Sequence, residues 1–230
     1  MRRKKIILII GRENLEKDSY LYTDILSKIK GIQLDVFNEH SFFKNRFRSL
    51  ILLFIPRFIR RLPLIRRLFF HVKDILYYIF LNAITHKKHV TFQKNTNDIP
   101  VRIEKLDKKL RKFPKNTEIT LIGRSAGAIV ATMVSLNHPI HKIIALGYPF
   151  KHPDCEEENH RFAHLINVKT PMLIIQGLQD VYGGKEILEK YHFNVNTKIV
   201  FEDIDHDFEL TETNRMKILG TIEHFIEEEN

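Results

Sequence analysis

Cysteine is almost missing from this chain of 230 residues. The single thiol, Cys155, excludes an internal disulfide and favours a reducing, cytoplasmic compartment. It stands in His-Pro-Asp-Cys-Glu-Glu-Glu with no base beside it, and reads as a surface thiol rather than a nucleophile. Proline (8) and glycine (9) are also sparse, so no long flexible linker is expected. No stretch reaches the roughly 18 uncharged residues of a transmembrane helix. The basic N-terminus precedes only the short apolar run Ile6–Ile10, and Gly11-Arg12-Glu13-Asn14 follows. A secretion signal needs about 7–15 apolar residues and a small-residue cleavage pattern, so a buried strand is expected there. No internal repeat, metal-ligand cluster or phosphate-cradling glycine loop stands out. No metal and no cofactor are therefore expected.

Acidic residues are absent from one segment. Between Ser41 and Lys73 there is no Asp or Glu, against Lys44, Arg46, Arg48, Arg57, Arg60, Arg61, Arg66, Arg67 and Lys73. That segment accounts for the whole net charge of +9, because the remaining basic residues balance the 28 acidic ones. Basicity is thus a property of one region and not of the protein at large.

What is present is a regular alternation. Apolar runs rich in β-branched residues recur at Ile6–Ile10, Gln33–Phe37, Glu118–Ile122, Lys142–Leu146, Met172–Ile175 and Lys198–Phe201. They are continuous rather than alternating, as in strands buried on both faces. Helical patterns lie between them, at Ser19–Lys30, Val101–Phe113, Ser125–Leu136, Lys185–Tyr191 and Thr213–Glu228. The last carries Met216, Leu219, Ile222, Phe225 and Ile226 as its apolar stripe. The expected class is α/β: one domain over 1–230, with a mostly parallel sheet of about six strands and helices on both faces. Residues 41–97 do not fit the alternation. Pro56 and Pro63 divide them, and they read as a basic helical insertion.

Thr120–Met133 reads TLIGRSAGAIVATM: an apolar run, then Gly-Arg-Ser-Ala-Gly, then a helix of small residues. This is the pattern of a nucleophile elbow, with Ser125 on a sharp strand-to-helix turn. Gly123 and Gly127 remove side chains that would collide with the neighbouring strand and helix. The Ala126 amide and the helix N-terminus then face the charge that develops on an attacked carbonyl. A serine needs a base, and the base an acid. Asp180 follows the strand-like TPMLIIQG, and His206 follows the strand-like TKIVFE. Both would lie at C-terminal strand ends with Ser125, where open α/β sheets place their ligands. Asp203, Asp205 and Asp207 are too near His206 in sequence to reach its ring. His138, His141, His152, His160 and His164 read as surface groups. Arg124 reads as a brace for the turn. The Arg12 amide, after the first strand, is the candidate second oxyanion donor.

These residues resemble the α/β-hydrolase superfamily. LGYPF (Leu146–Phe150), TPMLIIQGLQD and IDHDF are similar to its small dienelactone-hydrolase-like branch over about Glu118 to the C-terminus. The resemblance implies that fold and a Ser-Asp-His triad, and leaves the substrate open. The expected function is a carboxylesterase-like serine hydrolase cleaving an ester or thioester. Acyl transfer by the same triad, or a non-catalytic protein that binds through its basic helices, remain alternatives. The helices carrying Arg57, Arg60, Arg61, Arg66 and Arg67 suit a lid, or contact with an anionic membrane on its inner face. Nucleic acid is not expected, since no recognised module is present.

Overall fold

The computed structural model describes residues 4–11, 33–37 (backbone only), 99–155 and 157–228. They belong to one compact unit, drawn from residues 1–37 and 97–230. The helix expected at 19–30, Arg12 and the basic segment at 41–97 lie outside the described residues.

Six strands form one sheet: β1 (Lys4–Ile10), β2 (Gln33–Phe37), β3 (Thr117–Arg124), β4 (Lys142–Leu146), β5 (Met172–Gly177) and β6 (Thr197–Glu202). Their order is β2-β1-β3-β4-β5-β6, and every pairing is parallel. The central strands β4 and β5 are buried along their whole length, as are the apolar parts of β1 and β3, because helices cover both faces there. On one face pack α1 (Ile99–Leu110) and α2 (Ala126–Ser135), through Leu106, Leu110, Ala128, Ile129 and Ala131 against Leu8, Leu121, Ile143 and Ile174. On the other packs α4 (Glu212–Glu227), through Ile218, Leu219, Ile222 and Phe225 against Ile7, Ile122, Ile144 and Leu173. The short α3 (Ile187–Lys190) lies between β5 and β6 in sequence. This is the α/β-hydrolase fold with about six strands, as the sequence implied.

Three residues depart from the sequence reading. His138 is not a surface group: only 14% of its side chain is exposed, and its Nε2 lies 2.6 Å from an Asp107 carboxylate oxygen. Met216 is exposed, and Ile218 takes the place expected for it in the core. His164 is not a surface group. Its Nε2 lies 2.8 Å from the Thr132 hydroxyl of α2, and burial lowers its pKa to about 4.

Strand order reverses around β1, which has β2 on one side and β3 on the other. Gly11 and the end of β3 flank that switch point. Open parallel sheets have a crevice there, outside the carboxyl ends of the strands.

Candidate active site

β3 is buried from Ile119 onward, and α2 begins at Ala126. The turn between them leaves Ser125 at φ 49°, ψ −123°, a conformation that L-residues rarely adopt. Strain of this kind costs on the order of 1–3 kcal/mol and persists only where neighbours over-determine it. Here they do. The Ser125 amide donates to the Leu146 carbonyl at 3.1 Å, and the Ser125 carbonyl accepts from the Ala128 amide at 2.7 Å. The glycines permit the crossing. A Cβ on Gly127 would lie 2.1 Å from the Ile10 carbonyl oxygen, and one on Gly123 would lie 2.5 Å from the Ala128 Cα. The collisions inferred from sequence therefore have named partners: the end of β1 and the first turn of α2.

Two loops, those after β5 and β6, converge on this turn. The Ser125 hydroxyl lies 3.0 Å from His206 Nε2. His206 Nδ1 lies 3.0 and 2.9 Å from the two Asp180 carboxylate oxygens. An ionised carboxylate can only accept, so Nδ1 carries the proton and Nε2 accepts from the serine. The Asp180 side chain is fully buried, yet both its oxygens have additional donors. Gln176 Nε2 donates to one at 2.8 Å, and the Tyr182 amide donates to the other at 2.8 Å. The Tyr182 ring covers the imidazole, with centroids 4.2 Å apart. Ser125, Asp180 and His206, picked out separately in the sequence, thus share one hydrogen-bonded chain.

Two of the neighbours that hold this site, Gln176 and Arg102, were not read from the sequence. Gln176 is wholly buried at the end of β5. Its amide also donates to the Gly183 carbonyl at 2.8 Å, and its oxygen accepts from the Tyr148 amide at 2.8 Å. A glutamine inside the apolar run MLIIQG was the available signal. Arg102 of α1, almost fully buried, donates to the Gly11 carbonyl at 2.5 Å and so holds the end of β1 beside the elbow. Arg124, read as a brace, has Nη1 3.2 Å from the Leu146 carbonyl, and its Nη2 donates to the His206 carbonyl. Ala126 supplies the first amide of α2, which has no partner within the helix. The second expected amide, that of Arg12, lies outside the described residues.

The family described as "Alpha/beta hydrolase domain" matches residues 78–229. The chain belongs to this family. None of the curated proteins matches it at a significant level. Several solved structures of α/β hydrolases share the fold. An alpha-beta serine hydrolase homologue from Coxiella burnetii has a TM-score of 0.55 at 16% identity, covering 97% of this chain and 85% of its own. A lipase-esterase related protein from Clostridium acetobutylicum has a TM-score of 0.55 at 12% identity, covering 96% and 94%. A dienelactone hydrolase from Anabaena variabilis has a TM-score of 0.50 at 14% identity, covering 97% and 86%. At these identities the likeness is one of fold. The family supports a hydrolase acting on a small molecule. Among the described residues no helix is long and apolar enough to cross a membrane, and no group of His, Cys, Asp and Glu is placed to hold a metal.

Proposed function

We propose that this α/β hydrolase cleaves a carboxylic ester or thioester through an acyl-enzyme on Ser125. The observation that carries the reading is the unbroken hydrogen-bonded chain from Ser125 through His206 to the buried Asp180. In the proposed reaction Ser125 Oγ attacks the substrate carbonyl carbon and its proton passes to His206 Nε2. Asp180 holds the imidazole in the required tautomer and stabilises the imidazolium. The Ala126 amide, and that of Arg12, receive the oxyanion. The intermediate collapses, the carbonyl carbon's bond to the leaving oxygen or sulfur breaks, and His206 protonates the leaving group. Water then repeats the sequence: it attacks the acyl carbon, His206 takes its proton, and the Ser125 oxygen leaves with it.

A fluorophosphonate probe tests the reading without knowledge of the substrate. Wild type is expected to label, while Ser125→Ala and His206→Ala are not. A correctly folded wild type that stays unlabelled, with and without liposomes, would overturn the reading in favour of a non-catalytic protein. Labelling that persists in Ser125→Ala would place the nucleophile elsewhere. Partition of the acyl group between water and an added alcohol separates hydrolysis from acyl transfer.

The charge of segment 41–73 supports a second element of the proposal, contact with an anionic membrane surface through Arg57, Arg60, Arg61, Arg66 and Arg67. Co-sedimentation with phosphatidylserine vesicles should fall sharply when these arginines are replaced by glutamine. Unchanged binding would remove the membrane from the reading.

A further inference from the structure

Arg124 is the last residue of β3 and immediately precedes the strained serine. Strand alternation sends its side chain to the face of the sheet that Ile122 shares with α4. There it is 1% exposed, a full charge at the edge of an apolar layer. A guanidinium is kept in such a place when planar, multiple donation is needed.

Its donors go to two different segments, the end of β4 and the loop after β6. Nη1 lies 3.2 Å from the carbonyl of Leu146, the residue at the end of β4. That same carbonyl accepts the Ser125 amide at 3.1 Å. Nη2 donates to the backbone carbonyl of His206. One side chain therefore connects the backbone of the serine turn to the backbone of the histidine loop, with the Leu146 carbonyl as the shared acceptor.

The guanidinium also has a platform. Its carbon lies 4.6 Å from the centroid of the fully buried Phe208 ring. Phe208 is two residues beyond His206 and has φ 57°. Together with Ser125 it is one of two non-glycine residues with positive φ among the described residues. A bulky residue in that region is strained and needs its surroundings to hold it. Gly147 leaves the room. A Cβ there would lie 2.8 Å from Arg124 Nη1 and 2.9 Å from Phe208 Cε2. The two strained residues thus flank one arginine, one beside it in sequence and the other beneath its side chain.

The segment carrying His206, from Asp203 to Leu210, has no helix or strand of its own. Its backbone must be fixed from outside if the imidazole is to stay within reach of the serine. We propose that Arg124 is a positioning residue for the reaction proposed above. By clamping the His206 carbonyl and stacking on Phe208, it holds the imidazole in register with Ser125. This rests on the hydrolase reading of the same site, and it assigns Arg124 no contact with substrate.

The clamp acts on alignment, not on substrate binding. Misplacement of a reacting group by about 1 Å costs on the order of 100-fold in rate. In the full-length chain, Arg124→Lys retains the charge but reaches one carbonyl and does not stack. Arg124→Met retains length and has no donor. With an activated ester that reports turnover at Ser125, kcat should fall about 10-fold in the lysine variant and about 100-fold in the methionine variant, while KM stays within about 3-fold. Phe208→Leu, which leaves both carbonyl bonds available, should give a smaller loss of the same kind. It also carries the test if Arg124→Met does not fold.

A second readout does not depend on turnover. The His206 Nδ1 proton, hydrogen-bonded to Asp180, should give a far-downfield proton NMR resonance that is missing in His206→Ala. It should broaden or shift in Arg124→Lys. Wild-type kinetics and an unmoved resonance in folded Arg124→Lys and Phe208→Leu would overturn the proposal. So would a loss confined to KM. If wild type neither turns over nor labels, the hydrolase reading fails, and the resonance still reports whether Arg124 holds the imidazole.

Discussion

A methyl group at Gly127 would sit 2.1 Å from the Ile10 carbonyl oxygen, and both atoms are fixed to backbone, so no side-chain rotation can relieve the clash. Gly127→Ala must therefore push α2 away from β1, and the Ala126 amide moves with it. Fluorophosphonate labelling is expected to fall at least about 10-fold, with a lower thermal midpoint, from a change of one carbon. Gln176 makes a different demand. Its amide satisfies one Asp180 oxygen and the Gly183 carbonyl inside the protein. Gln176→Leu leaves the Gly183 carbonyl without this donor and the Tyr148 amide without this acceptor, at a cost of about 1–3 kcal/mol each before relaxation, and leaves Asp180 to His206 and Tyr182. It should lower both the urea midpoint and the labelling rate, whereas Gln176→Glu should be worse because it sets two carboxyl groups side by side. A labelling rate unchanged in Gln176→Leu would show that Tyr182 and His206 hold Asp180 unaided. Ser125, Asp180 and His206 were legible from their place after strands. Gln176 and Arg102 were not singled out, since a buried polar residue is recognised by what surrounds it, and its partners lie elsewhere in the chain.

Strands were legible from their continuous apolar runs. β4 and β2 match their apolar runs residue for residue, while β3, β5 and β6 run one or two residues further. The additions, such as Thr117, Arg124, Gln176 and Glu202, are polar residues that continue the ladder for reasons of hydrogen bonding. α4 was placed to within a residue, but its stripe was drawn too wide. Met216 lies roughly 120° round the helix from the centre of the stripe that Ile218, Leu219, Ile222 and Phe225 define. The ends of α4 have their own chemistry. Thr211 caps the start, accepting from the Asn214 amide at 3.2 Å. At the other end the buried Lys142 of β4 donates to the carbonyls of Phe225 and Ile226 at 2.8 and 3.1 Å, and to that of Glu228. Lys142→Met should cost about 1–3 kcal/mol and speed hydrogen exchange in the last turn of α4. Labelling should be unaffected, because Lys142 begins β4 and the serine lies beyond the opposite ends of the strands. Gly220 stands in the middle of α4, and a methyl group added to it would meet nothing within 4 Å. Gly220→Ala should stabilise by about 0.5–1 kcal/mol in the same denaturation assay.

Among the described residues, acid should act through His164 first. It joins the loop after β4 to α2, pairing with the Thr132 hydroxyl at 2.8 Å, with the Tyr148 hydroxyl 3.5 Å away. Burial, and after it the charge of nearby His160, lowers its pKa from 6.5 to about 4. The unfolded chain therefore binds a proton at this residue before the folded chain does. The stability it contributes is complete above pH 6.5, falls progressively as the pH drops towards 4, and falls no further below that. Asp107 acts in a lower window. The Arg111 guanidinium and His138 hold its carboxyl at about 2, so its contribution is present above the ordinary 3.8 and is lost as the pH falls through 2. The two windows can be separated by one substitution. His164→Gln keeps an amide for Thr132 and removes the titration, while every other acid-sensitive group is common to both proteins. Between about pH 7.5 and pH 5 the urea midpoint should fall more in wild type than in His164→Gln, by the equivalent of about 1–2 kcal/mol. Equal losses in the two proteins would mean that His164 takes its proton in the folded state as readily as in the unfolded one, and that the loop after β4 opens to solvent well before the rest of the fold.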